Sequence, residues 1–74
     1  MKPLPIVNRM RRLRFEHGEM TQKELAARVG VTRQTIMAIE NAKYSPTLEL
    51  AFKIAAVFET SVEAVFTYEP DRAG

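Results

Sequence analysis

The sequence predicts an all-α domain of five short helices. Three observations carry this expectation. Apolar residues recur at helical spacing in separate stretches, hydroxyl residues stand immediately ahead of several of those stretches, and Gly18, Gly30 and Pro46 fall in the gaps. No repeat, low-complexity run or linker divides the 74 residues, so residues 1–74 are read as one domain. A chain this short buries only about 60% of the surface it exposes when unfolded, which leaves a narrow margin of stability.

Taken in order, Pro3-Leu4-Pro5-Ile6-Val7 is extended, because a proline disfavours helix in the residue before it. Val7, Met10, Leu13 and Arg14 then share one helical face, with Arg9, Arg11 and Arg12 on the other. This predicts a first helix over about residues 8–17 that stops at Gly18. Thr21-Gln22-Lys23-Glu24 has the form of a capping box, in which the threonine hydroxyl and the glutamate carboxylate each accept from the other's backbone amide. Leu25, Ala26 and Val29 form the buried face of this second helix. Gly30 ends it and can take the positive φ of a tight turn. Thr32 caps a third helix, with Ile36 and Ile39 facing inward.

A fourth helix is expected over about residues 47–58. Its Leu48, Leu50, Ala51, Ile54, Ala55, Val57 and Phe58 make it apolar almost all round, which predicts a place in the middle of the core. Thr60-Ser61-Val62-Glu63 reads as a second capping box, opening a short fifth helix through Val65. Phe66-Thr67-Tyr68-Glu69 alternates apolar and polar residues before Pro70. It reads as a short strand with which Ile6 and Val7 can pair in a terminal β-ribbon.

Composition excludes several function classes. The chain has no cysteine and one histidine, His17, so neither a disulfide framework nor a metal centre is expected. There is no paired acid and base, no histidine dyad and no glycine-rich phosphate loop, so an enzyme is not expected and no cofactor is called for. No small-molecule ligand site is evident. No apolar run is long enough for a signal peptide or membrane span, which gives a cytoplasmic location as the default expectation. The net charge is +2, but it is unevenly spread. Residues 1–43 carry nine basic against four acidic side chains, and residues 44–74 carry two against five. The front half is suited to meet a polyanion and the back half is not.

Two short helices joined by a glycine-containing turn form a helix-turn-helix unit, here residues 21–41, whose second helix enters the DNA major groove. The solvent side of that helix begins Arg33-Gln34-Thr35. Arginine can donate twice to guanine, glutamine can pair with adenine, and a threonine methyl can pack on the thymine methyl.

The run from Thr21 through Lys43, Thr-Gln-Lys-Glu-Leu-Ala-Ala-Arg-Val-Gly-Val-Thr-Arg-Gln-Thr-Ile-Met-Ala-Ile-Glu-Asn-Ala-Lys, resembles the phage-repressor/Cro, or xenobiotic-response-element, family. That family's pattern is Thr-Gln-x-x-Leu-Ala…Gly-Val-Ser-x-x-x-Ile-x-x-Ile-Glu-x-Gly-Lys, and the resemblance covers about residues 8–66. It implies a five-helix phage-repressor-like fold, of the compact kind without a sensor domain, and a transcriptional regulator that binds double-stranded DNA. It further implies that Thr32, Arg33, Gln34, Thr35, Met37 and Ala38 face the groove. Gln22 would bind a phosphate, and Asn41, Lys43 and Tyr44 would hold the sugar-phosphate backbone. Arg14 is the candidate partner of Glu40 in a structural ion pair. Where the family has glycine, this chain has Ala42; if positive φ is needed there, Asn41 is the residue expected to adopt it.

The reading that follows is a homodimeric repressor on a palindromic operator, with two third helices about 34–36 Å apart. The acidic, apolar region about 60–69, through Val62, Val65, Phe66 and Tyr68, would form the dimer interface. The rival reading is a protein-interaction module, such as an antitoxin or a phage-regulator partner, that presents the same region to a foreign protein.

Overall fold

The computed structural model describes residues 4–70. Seven elements follow in order: β1 (Ile6–Asn8), α1 (Met10–Glu16), α2 (Gln22–Val29), α3 (Arg33–Glu40), α4 (Leu48–Val57), α5 (Val62–Val65) and β2 (Phe66–Tyr68). The two strands form an antiparallel ribbon, with Ile6 opposite Tyr68, Val7 opposite Thr67 and Asn8 opposite Phe66. The five helices and the terminal ribbon are those that the sequence predicts.

Local signals set most boundaries. At α2 the Thr21 hydroxyl accepts from the amide of Glu24 at 3.0 Å, and the Glu24 carboxylate accepts from the amide of Thr21 at 3.3 Å, which completes the capping box. Thr32 and Thr47 cap α3 and α4 in the same way, accepting from the amides of Thr35 and Leu50. Gly30 closes α2 with φ +77°, and its amide donates to the Ala26 carbonyl. The core that these helices enclose centres on Met10, Leu25, Ile36, Ile39, Ile54 and Val65, each at most 2% exposed. Met20 reaches into it from the loop between α1 and α2.

The structure departs from the sequence reading at five places. The first helix begins at Met10 rather than near residue 8, because Asn8 is drawn into the ribbon. Its side-chain oxygen accepts from the Met10 amide at 3.2 Å and its side-chain nitrogen donates to the Ile39 carbonyl at 2.9 Å. One asparagine therefore joins β1, the start of α1 and α3. The fifth helix is capped by Ser61, which accepts from Ala64, and not by a Thr60–Glu63 box. Thr60 instead donates its amide to the Ala55 carbonyl and finishes the turn after α4.

Asn41 does not adopt positive φ. It sits at φ −87° as the C-cap of α3, and Ala42 takes φ +58°. The reason is a paired closure of the helix end: the Ala42 amide donates to the Ile39 carbonyl and the Lys43 amide to the Ala38 carbonyl. This pattern requires the left-handed residue one position past the cap. Helix α4 is not enclosed on all sides. Leu50, Ala51, Ile54 and Ala55 pack inward against α2 and α5, whereas Leu48 faces solvent. Val65, expected at a dimer interface, is 0% exposed within its own core, so it is not available to a partner. Its carbonyl accepts from the Arg9 amide at 2.9 Å, which ties α5 to the start of α1.

Ala42 pays the left-handed penalty that glycine avoids, a cost of about 1–2 kcal/mol for an L-residue, partly offset by glycine's greater unfolded-chain entropy. Ala42→Gly is therefore expected to stabilise the fold by about 0.5–1 kcal/mol in chemical denaturation. A midpoint that stays put or falls would contradict the assigned backbone conformation.

Candidate nucleic-acid interface

The interface is built on one part-buried ion pair. Arg14, near the end of α1, donates from Nε to Oε2 of Glu40 at 2.7 Å and from Nη2 to Oε1 at 2.9 Å. The two planar groups meet in the parallel, two-bond geometry that arginine and carboxylate favour. Their side chains are 14% and 7% exposed, so the pair is shielded from water and salt far better than a surface bridge. The hydrogen bonds to Glu40, with its charge adding in the same direction, raise the Arg14 pKa against the opposing effect of burial. The guanidinium is charged at neutral pH, as arginine side chains in proteins are. Its third donor, Nη1, bonds the Met20 carbonyl at 2.9 Å and so holds the loop that leads into α2.

Gln22, the first residue of α2, joins this network. Its side-chain nitrogen donates to Oε1 of Glu40 at 3.2 Å. An amide nitrogen carries two hydrogens, so one remains to donate elsewhere, and Glu40 sets which way the group is turned. Above the network opens a concave surface lined by Asn8, Arg11, Arg14, Thr21, Gln22, Lys23, Arg33, Glu40 and Asn41. Among the described residues no carboxylate lies within ion-pair distance of Arg11, Lys23 or Arg33. With Arg14 neutralised by Glu40, those three cations give the cleft its field.

Of the residues expected from the sequence to contact DNA, Gln22, Arg33 and Asn41 line this cleft together, beside the Arg14–Glu40 pair. Gln34 is exposed on α3, Met37 is 38% exposed, and Thr35 and Ala38 are partly covered. The Thr32 hydroxyl is engaged as the α3 cap and lies 3.1 Å from that of Thr35, which leaves mainly its methyl for outside contacts. Lys43 is exposed beyond α3 and does not line the cleft. Tyr44 is 46% exposed and borders a separate depression with Thr35 and Thr47. Sequence reasoning missed Arg11, Lys23 and Asn8. The sequence reading sets Arg11 on the face of α1 away from Arg14, but the two stand three residues apart, one helical turn, and line the same cleft.

A capped recognition-type helix, a glycine turn behind it and an adjoining cationic cleft define a DNA-binding helix-turn-helix domain. The comparisons agree. A helix-turn-helix family model matches residues 10–65. The chain belongs to the Cro/C1-type helix-turn-helix family of DNA-binding transcriptional regulators, which are not enzymes. It is 50% identical over 64 residues to an uncharacterised helix-turn-helix-type transcriptional regulator of Methanocaldococcus jannaschii, covering 86% of this chain and 96% of that protein. A regulator of the same description from Bacillus subtilis is 44% identical over 64 residues, with 86% and 96% covered. The fold also matches a crystal structure from Bacteroides fragilis, provisionally described as a DNA-binding protein. That match has a TM-score of 0.71 at 21% identity and covers 84% of this chain and 98% of that one. Among the described residues no helix is long and apolar enough to cross a membrane.

Removing the Glu40 carboxylate would leave the largely enclosed Arg14 side chain with an unpaired charge and free the Gln22 amide. Glu40→Ala is expected to lower stability by about 3 kcal/mol in urea denaturation. Replacing both partners, Arg14→Met with Glu40→Leu, should recover most of that loss, because no orphaned charge remains. Equal losses in the single and double variants would show that the pair is not what holds α1 to α3.

Proposed function

We propose that the chain is a transcriptional repressor that binds a palindromic operator as a homodimer in the cytoplasm, with α3 in the major groove. The observation that carries this reading is the first turn of α3. Arg33 and Gln34 stand exposed there on a helix whose other side is locked into the core by Ile36 and Ile39, and Arg33 also borders the cationic cleft. A rigid helix presenting a bidentate donor and an amide suits base reading, and a cleft with unpaired cations suits the phosphate backbone beside it.

In this reading Arg33, Gln34 and Thr35 read base edges, with Met37, Ala38 and the Thr32 methyl making apolar contacts. Gln22 gives its second amide hydrogen to a phosphate, in the orientation that Glu40 sets. Asn41, Lys43 and Tyr44 hold the backbone past the end of α3. Arg11 and Lys23 join this phosphate-binding set, because they share the concave surface of Gln22 and Arg33. One module this small makes few contacts, so pairing of two modules supplies affinity and selectivity. Repression then follows from occupation of promoter DNA.

Arg33→Ala is expected to relax selection at one base pair per half-site, by about 1–3 kcal/mol, when bound sites are selected from random duplexes. Unaltered selectivity would remove Arg33 from the reading role. Arg11→Ala and Lys23→Ala should weaken binding to all duplexes alike. Each should also reduce the slope of log affinity against log salt by about 1. An affinity for DNA that hardly responds to salt would favour the protein-interaction module instead.

A further inference from the structure

Helix α4 carries an apolar stripe that nothing in the described chain covers. Leu48 is 72% exposed and Phe52 59% exposed, and Ala56, a further helical turn along, is exposed as well. Positions four apart lie above one another on a helix, so the three form one continuous face. Glu49 and Lys53 border it and are themselves joined at 3.3 Å in an exposed ion pair.

We propose that a second copy of this chain covers the stripe, with the two α4 helices antiparallel about a two-fold axis at Phe52. The proposal rests on the homodimer reading above and assigns the surface that makes the dimer. Two-fold pairing requires a patch that complements itself, each residue meeting its counterpart's partner. This stripe does so in both size and charge. With Phe52 on the axis, Leu48 four residues before it meets the partner's Ala56 four residues after it, large against small. Glu49 comes within half a turn of the partner's Lys53, and the reverse holds for the other pair.

Of the other exposed apolar groups, Met37 and Tyr44 belong to the DNA-facing set proposed above, and Phe15 and Tyr68 lack this property. Phe15 on α1 is 66% exposed, but it borders a surface with Arg9, Arg11 and Arg12. A two-fold copy laid there would bring cations against cations. Tyr68 is exposed at the end of a three-residue strand, and its neighbour Val65 is wholly enclosed. A foreign partner would not require the stripe to match itself, whereas a second copy does. A single helix of ten residues offers less than the roughly 800 Å² per partner of a standard interface, so a micromolar rather than nanomolar dimer is expected.

The chain has no cysteine of its own, so one introduced thiol reports one position. Phe52→Cys should cross-link to itself on mild oxidation, because residues on a two-fold axis come within disulfide reach. Phe15→Cys and Tyr68→Cys should not. In sedimentation equilibrium at tens of micromolar, the unmodified protein should be dimeric. Phe52→Glu should dissociate at least about tenfold more readily, with its helical circular dichroism unchanged. If Phe52→Glu does not fold, the surface charges carry the test. Glu49→Lys alone should weaken the dimer, and adding Lys53→Glu should restore it.

A protein that is monomeric at these concentrations overturns the homodimer reading and this surface together. A dimer that survives both Phe52→Glu and Glu49→Lys, or that cross-links through residue 68 rather than 52, overturns only the α4 surface.

Discussion

The carboxylate of Glu40 accepts from Arg14 through two parallel bonds and from Gln22 through a third, and this one part-buried group holds α1, α2 and α3 in register. Each helix is too short to be stable alone, at seven or eight residues, since isolated helices need more than about twelve to persist in water. Their mutual placement therefore comes from tertiary contacts. Apolar packing sets the distance between α2 and α3, and the polar network adds direction. It fixes the rotation of α1 and turns the first side chain of α2 toward the cleft.

The same network explains why a cationic cleft can exist in a chain with a net charge of only +2. Arg14 is spent on Glu40, while Arg11, Lys23 and Arg33 keep their charges for the outside. The ribbon contributes indirectly. Asn8, bonded to the Ile39 carbonyl, joins β1 to α3, and the Arg9 side chain donates to Thr67 at 2.7 Å across to β2. The two ribbon strands are thus tied to each other and to α3, which rests on a braced support.

Much of this was legible in the sequence wherever the physics is local. Thr21 with Glu24, Thr32 ahead of Arg33 and Gly30 between them act through hydrogen bonds and φ preferences within a few residues, so spacing alone identifies them. The pairing of Ile6 and Val7 with residues 66–68 could be read from alternation and β-favouring side chains. Local signals also misled where two solutions were close in energy. Either Thr60 or Ser61 suits a helix start, and the choice was decided by the end of α4, where the Thr60 amide was already committed to Ala55. At residues 41 and 42 intrinsic preference favoured asparagine for positive φ, but the closing bonds of α3 demanded the left-handed turn one position later.

By itself, then, the sequence determined the five helices, the caps of α2 and α3, the helix-turn-helix and the exposure of Arg33 and Gln34 on it, because periodicity and capping are properties of neighbouring residues. Only the tertiary structure decided which charges are spent inside and which face outward, since that depends on what α1 meets across the fold. It likewise decided that Val65 is enclosed and that Leu48 and Phe52 are not. A helix's apolar content states how much surface it would bury, and the elements packed around it determine how much it does.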